Sequence, residues 1–236
     1  MINVVYLVVK KTFKNYNDIR FIHFFGADGV GKSTQANLLA YYFKKNCVDV
    51  KVVRIRSGRT IASIVYKILR TLTPDLLEYG GDGRVIRLYN IRNSFQKQMW
   101  SLIEFLSMIP YLLFSVYLPL SQKKIVVAER YIIDAIATIA FLIDDLLWPK
   151  SFLARCMLKF IPRNSVFIFL DASYKDISRR RGTRADQQEY IEFQRTIYRA
   201  YARALRAFKI DTSVTSIKET AMYIRKYLAL KAMNKI

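Results

Sequence analysis

One segment restricts what this chain can fold into more than any other: HFFGADGVGKST, in which Gly26, Gly31, Lys32 and Ser33 satisfy the pattern G-x-x-x-x-G-K-[ST]. An apolar run, Phe21 to Phe25, precedes it, and a helix-forming run, Thr34 to Lys45, follows it. Strand, glycine-rich loop and helix in that order is the setting in which such a loop wraps the phosphates of a nucleoside triphosphate. The glycines let backbone N–H groups turn inward around phosphate oxygens without a Cβ clash, and the helix N-terminus adds partial positive charge. Gly26, Ala27, Asp28, Gly29, Val30, Gly31, Lys32, Ser33 and Thr34 therefore form the expected ATP-binding segment. Within it, Lys32 is placed to bridge the outer phosphates and Ser33 to ligate Mg2+.

At 236 residues and 53% hydrophobic content the chain is suited to one sizeable core, and no long Pro/Gly/Ser linker divides it. Its 39 Lys and Arg against 18 Asp and Glu give a formal charge of +21, which favours polyanionic partners. Nucleotides meet that expectation; so would nucleic acid or an anionic membrane. Cys47 and Cys156 have the spacing of neither a zinc site nor a disulfide framework, and the only histidine, His23, lies in the first strand. The start MINVVYLVVKK lacks the features of a secretory signal, so a cytoplasmic location is the default. FLSMIPYLLFSVYLPL, Phe105 to Leu120, is uncharged over sixteen residues, just short of a bilayer span, and Pro110 and Pro119 interrupt it. It reads as a central helix packed on both faces in preference to a membrane segment.

Along the chain, VDVKVVRIR (Val48 to Arg56) alternates and is β-branched, which predicts a second strand. Arg59 to Leu72 reads as helix, 73 to 84 with its GGDG as loop, and Ile86 to Leu120 as one long helical stretch. KKIVVAER is a buried-type strand ending at Glu129, followed by helix from Tyr131 to Asp145. SVFIFLDAS is a further strand ending near Asp171. Two helical stretches flank RRRGTR, the second from Gln187 to Phe208; KIDTS is the last strand, and Ile217 to Ile236 a basic amphipathic helix. Alternating strands and helices predict an α/β fold whose mainly parallel sheet is covered on both faces, with ligands beyond the carboxyl ends of the strands.

Taken in series, these segments resemble the thymidylate kinase branch of the P-loop nucleoside monophosphate kinases over roughly residues 20 to 233. FFGADGVGKSTQANLLA is similar to that family's opening, including an acidic residue, Asp28, inside the P-loop. RIRSGRT at 54 to 60 stands where the family has Arg-Glu-Pro-Gly-Gly-Thr, and IVVAERY resembles its Asp-Arg-Tyr/His strand end. FIFLDAS, the Arg-rich lid, YRAYARAL and IDTS follow the family order. The resemblance implies a three-layer α/β/α P-loop kinase fold with a central five-stranded sheet, in a domain of residues 20–236 after an N-terminal extension, 1–19. A lid is expected around 178–188. It also implies ATP and Mg2+ as cofactors, a nucleoside monophosphate, dTMP before others, as acceptor, and a homodimer.

On this reading Glu129 is the magnesium-linked carboxylate, and Arg130 beside it holds the acceptor phosphate. By analogy Arg54, Arg59 and Asp28 also face the acceptor. The P-loop tip, Asp28-Gly29-Val30, has no arginine, so a cation for the transferring phosphoryl group must come from the lid, where Arg179, Arg181 and Arg184 are the candidates before Arg180. The sequence departs from the family where a base-contacting arginine is due, near Ser107 and Met108, and where Asp134, Thr138 and Ile139 replace a serine and a Tyr-Gln pair. A deoxynucleoside kinase is the alternative enzyme, weakened because RIRSGRT offers no carboxylate base. A nucleotide-dependent binding or membrane-associated protein without kinase activity is the alternative of another class.

Overall fold

The computed structural model describes residues 19–55, 61–72, 77–79, 85–88 and 93–233. Arg59, the GGDG cluster and all of the N-terminal extension except Ile19 lie outside these residues. The central sheet has five strands: β1 (Phe21–Phe25), β2 (Val50–Arg54), then, after a separate hairpin of β3 (Leu77–Tyr79) and β4 (Val85–Leu88), β5 (Ile125–Arg130), β6 (Ser165–Asp171) and β7 (Phe208–Asp211). Their order is β2-β5-β1-β6-β7, and every pairing in it is parallel. The helices are α1 (Lys32–Lys45), α2 (Ile61–Leu72), α3 (Ser94–Ser121), α4 (Ile132–Leu142), α5 (Phe152–Leu158), α6 (Tyr174–Arg181), α7 (Gln188–Ala204) and α8 (Ile217–Ala232).

Side chains alternate across a strand, so a centrally placed parallel strand must be apolar on both faces. β1 shows this: Phe21 and Phe25 enter the core shared with α3, α4, α5 and α7, while Ile22 and Phe24 enter the core shared with α1, α6 and α8. The result is three layers, α/β/α, as the resemblance implies. β1 is the central strand, and its neighbours β5 and β6 run off to opposite sides, which opens a crevice at its carboxyl end.

Two expectations along the chain are corrected. Part of the segment read as loop, and the start of that read as a long helix, pair instead as an antiparallel hairpin, Leu77 opposite Leu88 and Glu78 opposite Arg87. The helix begins at Ser94, where the Asn93 side chain accepts the Phe95 N–H at 2.8 Å. The apolar helix is also not packed on both faces. Its most apolar window is 39% buried, and Phe95, Met99, Leu102, Leu106, Leu113, Phe114 and Leu118 remain exposed. Pro110 sits inside it, and the helix widens into a π-turn over Leu113–Tyr117. Proline lacks the N–H that would bond four residues back, and the π-turn lies after Pro110 and just before Pro119. Among the described residues α3 alone is long and apolar enough to cross a membrane.

Candidate active site

The chain leaves β1 through Gly26, whose φ of 140° suits glycine; a Cβ there would lie 2.1 Å from the Leu170 carbonyl oxygen of β6. Gly31, with φ of 96°, turns the chain into α1 at its N-cap. These two conformations fold residues 26–31 into a loop beyond the strand ends, and Lys32 and Ser33 follow on the first turn of α1. The Lys32 ammonium lies back along the loop, donating to the carbonyls of Gly26 and Ala27, the latter at 2.8 Å, and to Asp28 Oδ1 at 3.4 Å.

Asp28 is the electrostatic centre. It is 3% exposed, and besides Lys32 its carboxylate pairs with the Arg130 guanidinium and with Arg181 Nη1 at 3.8 Å. β5 supplies Glu129 and Arg130 as consecutive residues, both buried, and Glu129 Oε1 pairs with Arg54 Nε of β2 at 2.8 Å. The segment expected to act as a lid begins on α6. Arg180 donates to the Thr212 carbonyl and to its hydroxyl oxygen, the latter at 3.1 Å; that hydroxyl in turn donates to the Val30 carbonyl at 3.2 Å. Thr212 thus ties the residue after β7 to the P-loop tip and to the lid.

A cavity of about 250 Å³ lies among these groups. Lys32, Arg54, Arg130, Arg180 and Arg181 line it, against the single carboxylate of Asp28. Five cations around one small acid make a receptor for polyanions, and the Asp28 carboxylate occupies the position among them that a phosphate oxygen would suit. Ser33 also lines the cavity; Glu129 is not among the lining residues but pairs with Arg54, which is. Hydroxyl and carboxylate are hard oxygen donors of the kind Mg2+ takes beside phosphate oxygens, so the residues fit that ion.

Of the residues anticipated from the sequence, the structure brings together Asp28, Gly29, Gly31, Lys32, Ser33, Thr34, Arg54, Arg130 and Arg181 on this cavity. Arg179 is not among them: it is 74% exposed and pairs with Asp176 at 2.8 Å on its own helix. Arg184 has its backbone in a short 3-10 turn after α6, and its side chain is outside the described residues. Arg180, the last of the lid candidates, lines the cavity, and Thr212 was not anticipated at all. Its signal was its place directly after the final strand, where loops at the carboxyl edge of a parallel sheet meet the ligand. Behind the cavity, Asp171 at the end of β6 is held by Arg195 Nε at 2.9 Å and Arg199 Nη2 at 3.0 Å, which fixes α7 against the strand.

His23 is a strand residue, as read, but not an isolated one. Fully buried, its Nε2 lies 3.0 Å from Asp134 Oδ2, and the same carboxylate accepts the Tyr131 N–H at 3.1 Å and the Tyr198 hydroxyl at 3.4 Å. Asp134 thereby caps the helix that starts immediately after Glu129-Arg130-Tyr131 and holds the strand end in place. Tyr131 is anchored at its other end too: its hydroxyl donates to the Phe160 carbonyl at 2.6 Å, and burial pushes its pKa far up, so it stays a neutral donor.

No protein-family model matches the chain. It is similar to two curated proteins named "Probable thymidylate kinase". That of Pyrococcus horikoshii is 26% identical over 206 residues, spanning 84% of this chain and 90% of the relative. That of Pyrococcus abyssi is 28% identical over 222 residues, with the same shares. Among solved structures, the crystal structure of thymidylate kinase from Ehrlichia chaffeensis matches with a TM-score of 0.52 at 19% identity, covering 88% of this chain and 97% of that one. That likeness concerns the fold: a central parallel sheet of five strands between helical layers. Over most of its length the chain is thus similar in sequence to two proteins named as probable thymidylate kinases, and in fold to a solved thymidylate kinase.

Proposed function

We propose that the protein is an ATP-dependent nucleoside monophosphate kinase of the cytoplasm, acting as a homodimer, with dTMP as its acceptor. The observation that carries this is the cation cluster on the 250 Å³ cavity. Its members come from opposite sides: Lys32 from the P-loop helix, Arg54 and Arg130 from the neighbouring strand ends, and Arg180 and Arg181 from the lid. A site for a single triphosphate needs cations on one side only, whereas a site that brings a donor and an acceptor phosphate together needs them on both.

The reaction is displacement at phosphorus. An oxygen of the acceptor monophosphate attacks the γ-phosphorus of ATP, the bond to the β–γ bridging oxygen breaks, and ADP leaves with the bond's electrons. The acceptor oxygen is already anionic, so no general base is required, in keeping with the absence of a carboxylate in the RIRSGRT segment. Lys32 exchanges its loop carbonyls for phosphate oxygens, Arg130 and Arg54 hold the acceptor phosphate, and Arg181 closes on the equatorial oxygens of the transferring group. Ser33 and Glu129 would hold Mg2+, which when bound offsets charge on the donor phosphates.

Transfer from γ-labelled ATP to a panel of nucleosides and nucleoside monophosphates tests the proposal, with Lys32→Ala as control. Label moves to dTMP, and the variant loses at least a hundredfold in kcat/KM while keeping the parental circular dichroism. Label on thymidine and none on dTMP would identify a deoxynucleoside kinase. Label on neither, together with salt-sensitive binding to nucleic acid or anionic vesicles, would identify a binding protein.

A further inference from the structure

A second cavity, larger than the P-loop one, lies on the outer face of the α1 and α8 layer. It measures about 650 Å³, within the range of small-molecule sites, and shares no lining residue with the P-loop cavity. α1 and α8 run side by side along it: Gln35 touches Ile217 at one end, and about two turns further along both helices the Arg225 guanidinium lies 5.1 Å over the Tyr42 ring.

Three properties of its lining define the chemistry it accepts. The floor and walls are apolar and aromatic, from Leu38, Leu39, Ala221 and Ile224 with Tyr41 and Tyr42, and the Tyr41 ring is 67% exposed. Its charged side chains are all cations, Lys45, Lys218 and Arg225, and none of the three has an acidic partner among the described residues. Its most buried polar residue, Gln35, is 4% exposed; the amide nitrogen donates to the Ile217 carbonyl at 3.0 Å, and the amide oxygen has no hydrogen-bond partner. A buried acceptor without a donor costs free energy that a ligand N–H recovers on a small adjustment of the amide. A flat ring with N–H donors at one end and a multiply charged anion at the other answers the rings, the amide oxygen and two of the three cations, Lys45 and Arg225, while Lys218 follows Ile217 at the Gln35 end. An acyl anion would meet the floor and the cations but leave the amide oxygen without a donor. Gln35 and Lys45 are ten residues apart, about 15 Å along the helix, long enough for a nucleoside and its phosphate chain.

We propose that the groove between α1 and α8 is a second nucleotide site, binding a nucleoside triphosphate with its base toward Gln35 and Tyr41 and its phosphates at Arg225 and Lys45. The same helix that forms one wall carries Lys32 and Ser33 at its start, so occupancy of the groove bears on the P-loop through a single rigid element. The site is independent of the kinase reading, because binding to it involves no transfer.

Equilibrium dialysis of the full chain against the imido-bridged analogue of ATP counts the sites. The parent binds two molecules per chain. Lys32→Ala retains the groove site, and the double variant Lys45→Glu with Arg225→Glu retains the P-loop site while its groove affinity falls by at least tenfold. Retention of the other site in each variant also reports that the variant is folded. Irradiation of the Lys32→Ala chain with 8-azido-ATP places the label on the peptide containing Tyr41 and Tyr42. One site per chain in the parent, or a second site undisturbed by both charge reversals, overturns the proposal and leaves the P-loop reading standing.

Discussion

Asp28 shows how much of the site is decided by single side chains. A carboxylate 3% exposed is costly unless paired, and here it is shared among Lys32, Arg130 and Arg181. Those three cations are thereby gathered before any ligand arrives, and an incoming phosphate needs only to take over partners already in place. The P-loop and the Glu-Arg pair were legible in the sequence because their meaning rests on local spacing. The lid was legible only in outline: Arg179, Arg180 and Arg181 are consecutive on a helix and so point in three directions, and the run itself does not say which direction faces the P-loop. Helix phase decides it, sending Arg179 to Asp176 and solvent, Arg180 to Thr212 and Arg181 to Asp28. Arg181→Ala is therefore expected to lower kcat and kcat/KM together by on the order of a hundredfold. Arg179→Ala, which breaks an exposed pair, is expected to leave both within about twofold. Steady-state kinetics of the two variants decide the matter, and a larger loss for Arg179→Ala would place the catalytic cation on the other face of α6.

Among the elements, α4 is positioned by a contact that local reading could not supply. Tyr131 to Asp145 was readable as helix from its apolar run, but the partner of Asp134 is His23, 111 residues earlier in the chain. β1 and the start of α4 meet only because β5 pairs with β1 in register, His23 opposite Ala128. Asp134→Ala removes a helix cap and leaves a buried imidazole with neither nitrogen partnered, since Nδ1 already has no hydrogen-bond partner. The expected cost is on the order of 3 kcal/mol. For a chain of this size that lowers Tm by roughly 6 to 12 °C in thermal unfolding. Asp134→Asn, which keeps an acceptor for the Tyr131 N–H, should recover at least about half of the loss, and equal losses in the two variants would show that the cap is not what the carboxylate supplies. The β3 and β4 hairpin was misread for the opposite reason. Its strands are three and four residues long, too short for period-two alternation to show, and they are stabilised by packing of Leu77 and Leu88 against Leu142, a contact across the fold.

At the scale of the whole molecule, the parallel sheet and its two covered faces followed from the sequence because five apolar strands alternate with helices, a pattern few architectures satisfy. The direction in which the longest helix faces did not. An uncharged run reads alike whether its second face meets protein core, a partner or lipid, and in this molecule the outer face of α3 leaves Phe95, Met99, Leu102, Leu106 and Leu113 exposed. Those positions recur at alternating steps of four and three, then seven, the 3.5-residue period by which one helix packs along another of the same kind. The same face on a second copy is self-complementary about a twofold axis, and it carries no charge to repel itself. Fully burying such a side chain is worth about 1.5 to 3 kcal/mol, and since these five are already about half covered in the single chain, ten of them on two copies supply an amount of the same order as an association cost of about 4 to 15 kcal/mol. The proposed homodimer is accordingly expected to use α3, and Leu106→Glu, which sets two like charges near the axis, should convert it to monomer with the P-loop intact. Light scattering after size exclusion reads the mass, and nucleotide binding reads the fold. A parent that is already monomeric but floats with anionic vesicles, and loses that flotation in Leu106→Glu, would assign the same face to a membrane surface, where its apolar stripe and the +21 charge of the chain would act together.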